Sequence, residues 1–166
     1  MRYRYAILGL AVALLLQGSG LNLIAVFGIT PNLILCLVTA FAFWYENNCF
    51  AGACAIVGGL LMDICYMPYV GIMAISYFLI CLAVICLRML LNKESLVVTM
   101  LVMAAATVTF QLFVWVLSLI TGTDIPFLAV LERLPLQLLL NVAVIALLFT
   151  ALSNRVIRYK NDRYYV

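Results

Sequence analysis

Apolar residues fill six long runs of the chain, and short polar or turn-forming segments separate these runs. A helix needs about 20 predominantly apolar residues to cross the hydrocarbon core of a bilayer, so runs of this kind predict membrane spans. The predicted spans are 5–24, 32–45, 49–66, 71–91, 96–120 and 131–152. The pattern therefore predicts an all-α, polytopic integral membrane bundle of about six transmembrane helices.

Composition supports a membrane protein. Of the 166 residues, 69% are hydrophobic and only 9% are charged. Soluble domains carry roughly a quarter charged residues. The apolar runs leave no room for a separate water-soluble domain. We therefore expect a single transmembrane domain over residues 1–153, followed by a short basic cytoplasmic tail, 154–166.

The basic residues predict an orientation, because cytoplasmic loops of membrane proteins collect Lys and Arg. With both termini in the cytoplasm, eight of the nine basic residues lie on the inner side and only Arg133 lies outside. We therefore expect an N-in, C-in arrangement. The net charge of +3 is then a topology signal, and no nucleic-acid partner is expected.

The first span has an alternative interpretation as a cleaved signal peptide. Arg2 and Arg4 precede an apolar stretch, and the small residues of QGSG follow at 17–20. No A-x-A cleavage site is present, so we expect the first span to be retained.

Side-chain chemistry gives no indication of catalysis. The chain has no His, which removes the commonest metal ligand and general base. The six cysteines lack metal-ligand spacing and are interpreted as small buried hydrophobes, with a disulfide or a metal site as the alternatives. We expect no catalytic residue, no metal and no cofactor.

Asp63 is an unusual residue, because it is a carboxylate inside the third apolar run. On a helix, Gly52, Ala55, Gly59 and Asp63 fall within one sector of about 80°. Small residues on one face allow another helix to approach closely. Asp63 should therefore face the bundle interior.

Two roles for Asp63 remain open at this stage. It could pair, directly or through water, with Arg133, which begins a polar line with Gln137 and Asn141 at four-residue spacing on the sixth span. It could instead cap the turn at 66–69 while headgroup water hydrates it.

Proline and glycine mark two of the predicted turns. Pro68 and Gly71 suit a tight outer turn between the third and fourth spans. Pro31 suits the first turn of the second span, with Asn32 beside it.

Several short motifs resemble, in order, those of the rod shape-determining protein MreD family. They are QGS at 17–19, VFGIT at 26–30, PN at 31–32, GGLLMD at 58–63, which includes Gly58, PYVG at 68–71, and a final span at 134–149. Each motif alone is weak, and their order across nearly the whole chain carries the resemblance. Asn32 departs from the family pattern, which has Pro-Asp at this place.

The resemblance implies a non-enzymatic, multi-pass component of the bacterial cell-elongation machinery in the cytoplasmic (inner) membrane. Such proteins associate with the bitopic membrane protein MreC and, through it, with MreB, a RodA-type glycosyltransferase and a class B penicillin-binding protein. It also implies a fold similar to the substrate-binding S-components of ECF vitamin transporters. The candidate structural or interaction residues are Pro31, Asn32, Gly52, Ala55, Gly58, Gly59, Asp63, Pro68, Gly71, Arg133, Gln137 and Asn141.

Two other functions are weighed against this one. A vitamin-transporter S-component would use the polar groups at 133, 137 and 141 to line a pocket, but the first span lacks an Ala-x-x-x-Ala docking motif. A small channel or exporter is disfavoured because charged pore-lining residues are nearly absent. Membrane lipid is a further expected partner, through the basic tail, although the tail could also serve only to anchor topology.

Overall fold

The computed structural model describes residues 3–17, 25, 28–45, 47–67, 69–91, 95–120, 122 and 126–156, without the side chains of 3–5 and 152–156. Within these ranges the chain forms six α-helices and no strand, which confirms the all-α prediction. The helices are α1 (Tyr3–Leu15), α2 (Leu33–Trp44), α3 (Asn48–Tyr66), α4 (Ile72–Leu87), α5 (Leu96–Ile120) and α6 (Phe127–Val156).

Three of these helices are long and apolar enough to cross a membrane, namely α3, α5 and α6. Helices α1, α2 and α4 are apolar but shorter. The structure thus agrees with a membrane protein, while the count of six spans stays a prediction.

Helix bounds differ from the predicted runs mainly at α6. Helix α1 is described as Tyr3–Leu15, and the end of the first predicted run, 18–24, lies outside the described residues. Helix α6 begins at Phe127 and contains Pro135, so neither the charged pair 132–133 nor the proline ends it. At its other end α6 reaches Val156, past the predicted domain boundary at 153, because the helical hydrogen bonding continues into the basic segment.

Helix α2 lies at the centre of the bundle. It contacts each of the other five helices. Nine of its 12 residues are buried, which explains why its sequence is apolar on all sides. The outer helices expose large apolar side chains instead, such as Leu139 and Leu147 on α6. Exposed leucines of this kind suit contact with lipid.

Glycines bring α3 close to its neighbours. A Cβ atom at Gly59 would lie 2.4 Å from the Ala74 Cα, so the first turn of α4 packs directly against the α3 backbone. A Cβ at Gly58 would lie 3.2 Å from a methyl group of Ile34 on α2. Small residues therefore set both packing distances.

The six cysteines are all free, so no disulfide links them. Three are buried, as predicted, but Cys49, Cys65 and Cys86 are exposed. The prediction of burial was wrong for these three, because an apolar run also supplies the exposed face of its helix.

Candidate functional site

Asp63, near the end of α3, caps the beginning of α4. Its carboxylate accepts hydrogen bonds from the backbone N–H groups of Gly71 (2.9 Å), Met73 (3.0 Å) and Ala74 (3.2 Å), and the side chain is fully buried. The first N–H groups of a helix have no partner within that helix, and the helix dipole favours a negative charge there. Asp63 therefore serves as the cap that α4 does not supply itself, since its N-cap residue is Gly71.

This geometry decides between the two roles predicted for Asp63. Arg133 is exposed, and no ion pair joins it to Asp63 in the part of the chain that the structure describes. The pairing hypothesis was wrong, because backbone donors already satisfy the carboxylate. Capping is the role observed, but at the start of α4 and without exposure to solvent.

The turn before α4 depends on glycine. Gly71 has a φ of +115°, a backbone conformation that residues with a side chain rarely adopt. This agrees with the predicted turn, while Pro68 lies outside the described residues.

Gln17 joins the end of α1 to the start of α2. Its Nε2 donates to the Pro31 carbonyl at 3.2 Å, and its Oε1 accepts from the Leu33 N–H at 2.9 Å. Pro31 is buried one residue before the N-cap of α2, so it lies outside the first helical turn that was predicted for it. The Gln17 amide thus binds two backbone groups of the segment that begins α2, 14 and 16 positions further along the chain.

Asn32 connects three helices from its position at the N-cap of α2. Its Oδ1 accepts from the Leu35 N–H at 3.0 Å, as an N-cap residue does. The Tyr77 hydroxyl on α4 lies 2.9 Å from Asn32 Nδ2 and 3.0 Å from Oδ1. The Asn32 N–H donates to Asn141 Oδ1 on α6 at 2.8 Å.

Asn141 extends this network to α5. Its Nδ2 donates to Thr107 Oγ1 at 3.1 Å, and its backbone carbonyl accepts from the Cys36 thiol at 3.7 Å. We call Asn32, Tyr77, Thr107 and Asn141 the polar cluster. All four are buried and together they link α2, α4, α5 and α6.

The predicted polar line on α6 divides into three environments. Asn141 is buried in the polar cluster, and Gln137 is half-buried and accepts a hydrogen bond from Gln111 Nε2 on α5. Arg133 is exposed. Sequence reasoning missed Tyr77 and Thr107; the only available signal was a polar hydroxyl inside each apolar run.

Arg88 acts at the opposite end of the bundle. Its guanidinium donates to the carbonyls of Ala42 and Tyr45, which end α2, and to the Asn48 side chain. A cation at a helix C-terminus satisfies carbonyls that have no partner within the helix. Asp63 thus accepts hydrogen bonds from N–H groups at the start of α4, and Arg88 donates to carbonyl groups at the end of α2.

The chemistry available at these sites is hydrogen bonding between helices. Most of the polar side chains described above bind backbone groups or each other. No group of three metal-ligating side chains occurs among the described residues. No family model, curated protein or solved structure matches the chain.

Proposed function

We propose that this protein is a non-enzymatic membrane scaffold of the bacterial cell-elongation complex, of the MreD type. In this role it occupies the inner membrane with six spans and both termini in the cytoplasm. It associates with an MreC-like bitopic protein, and through that protein with elongation synthases and an actin-like filament.

One observation carries the proposal. Polar residues in three of the MreD-like stretches join helices, since Gln17 joins α1 to α2 and Asp63 caps α4, while Asn32, which stands where the family has Asp, joins α2 to α4 and α6. Helix-joining contacts at three of the stretches that carry the resemblance support the proposal. A bundle held in this way presents fixed lateral surfaces, which is what a scaffold requires.

The polar cluster weakens the S-component alternative. That function would use Asn141 to line a solute pocket, yet Asn141 is fully buried and hydrogen-bonded to Asn32 and Thr107. A ligand would have to displace these contacts.

Depletion in the native host tests the proposal. We expect rods to swell and round as the protein is lost, and re-expression to restore them. Re-expressed Asn32→Leu should fail, because it removes the amide that joins α2 to α4. Asn47→Ala, which alters the exposed N-cap of α3, is the matched control and should restore shape. Normal rods that need an added vitamin would contradict the proposal and favour the transporter.

Crosslinking tests the partner separately. A photoreactive residue at Ile64, Leu101 or Leu139, each about two-thirds exposed, samples lateral faces of α3, α5 and α6. We expect one of these faces to crosslink a tagged MreC-like protein. The buried position Val38 serves as the negative control.

A further inference from the structure

Arg133 is the one basic residue that the proposed orientation leaves on the outer side of the membrane. Its side chain is exposed, and it forms no hydrogen bond or ion pair within the described part of the chain. An arginine in a membrane segment needs an anionic or hydrogen-bonding partner. Among the described residues no such partner lies within reach, which leaves the guanidinium available to a group of the surrounding lipid.

Helix geometry gives the depth of Arg133. The rings of Trp44 and Phe149 lie 5.8 Å apart, which puts Phe149 level with the inner end of α2, where Arg88 binds. Arg133 lies about 24 Å further along α6 at 1.5 Å per residue. The hydrocarbon core is about 30 Å thick, so with Phe149 at its inner boundary and α6 along the membrane normal, the Arg133 backbone would lie inside the outer leaflet. A long side chain there extends to the headgroup phosphates.

A second polar group lies on the same face of α6. Gln137 is one turn below Arg133, and its Oε1 accepts from Gln111. Its Nε2 has no acceptor among the described residues. Half-buried Gln137 and exposed Arg133 thus lie one turn apart on α6, each with a donor that has no acceptor among the described residues. A planar guanidinium matches the oxygens of a phosphate.

We propose that Arg133 binds the phosphate of an outer-leaflet phospholipid, with the Gln137 amide donating to oxygens deeper in the same lipid. The inference rests on the proposed membrane orientation and not on the cell-elongation role. A scaffold that failed the depletion test would still bind this lipid.

Native mass spectrometry of the full chain in detergent tests this site. The protein is titrated with phosphatidylethanolamine and with diacylglycerol of the same acyl chains. We expect the wild type to retain phosphatidylethanolamine at least about tenfold better than diacylglycerol, because a charge-assisted hydrogen bond contributes a difference of this size. Arg133→Gln should remove that difference, and Arg133→Lys should keep most of it.

Glu132→Gln is the matched control, because it changes a neighbouring exposed charge and should leave the tenfold difference intact. Three results would overturn the proposal. In the first, the wild type retains both lipids equally. In the second, a folded Arg133→Gln variant retains the phospholipid as well as the wild type does. In the third, soluble glycerol phosphate displaces the phospholipid as well as an added phospholipid does. Loss of a protein crosslink in Arg133→Gln with unchanged lipid retention would assign Arg133 to a protein partner instead.

Discussion

Asn32 and Asn141 are 109 positions apart in the chain, yet the Asn32 N–H donates to Asn141 Oδ1 at 2.8 Å. The bond fixes the buried start of α2 to the middle of α6. Because both residues are buried, neither can exchange this partner for water without opening the bundle. The packing of α2 against α6 therefore also pairs these two buried polar groups with each other.

Asn141→Leu should destabilise the bundle strongly. The substitution leaves the Asn32 N–H buried without an acceptor, which costs about 1–3 kcal/mol. Thermal unfolding in detergent measures the effect. Thr150→Ala is the control, since Thr150 is exposed and bonds only within α6, to the Leu147 carbonyl at 2.9 Å. Equal stability of the two variants would contradict the role assigned to Asn141.

Asp63→Ala should lower the free energy of unfolding by about 2–3 kcal/mol, because it removes a charged acceptor from three backbone N–H groups. Asp63→Asn keeps one acceptor oxygen and should lie between Ala and the wild type. The same unfolding assay applies to both.

A charge reversal separates capping from the rejected ion pair. Asp63→Arg combined with Arg133→Asp should be no more stable than Asp63→Arg alone. Rescue by the double change would restore the ion-pair hypothesis.

Gly59→Ala should destabilise the protein by about 1–3 kcal/mol, since the new methyl group overlaps the α4 backbone at Ala74 and forces the helices apart. Gly52→Ala is a matched control on the same helix, where the new Cβ would lie 3.6 Å from the Phe78 ring. That distance is ordinary contact, and alanine is the better helix former by about 1 kcal/mol. Gly52→Ala should therefore be neutral or stabilising.

Cysteine labelling tests the orientation. In a variant without native cysteines, Val70→Cys introduces a thiol in the exposed turn between α3 and α4, and Met89→Cys introduces one in the exposed turn after α4. A membrane-impermeant maleimide should label the first in intact cells and the second only after the cells are opened. The reverse result would invert the predicted topology.

The positions of the helices were largely predictable, because each helix coincides with a long apolar run that polar or turn-forming residues bound. The run 96–120 coincides with α5, and the small residues preceding Asp63 indicated correctly that it faces inward. The partners of polar residues were not predictable. Asp63 binds backbone groups, which have no signature in the sequence, and the contact between Asn32 and Asn141 depends on how distant helices are placed. The predicted pair between Asp63 and Arg133 was wrong because two opposite charges predicted to lie in one leaflet suggest an ion pair, whereas backbone N–H groups leave no mark in the sequence.

The shortness of α2 has a consequence for biogenesis. Its 12 residues extend about 18 Å, well below the thickness of the hydrocarbon core. A segment of that length is a poor candidate for independent partitioning from the insertion machinery into lipid. In the proposed six-span arrangement its integration should therefore be cooperative, with α2 retained near the translocation channel until later helices emerge from the ribosome and enclose it.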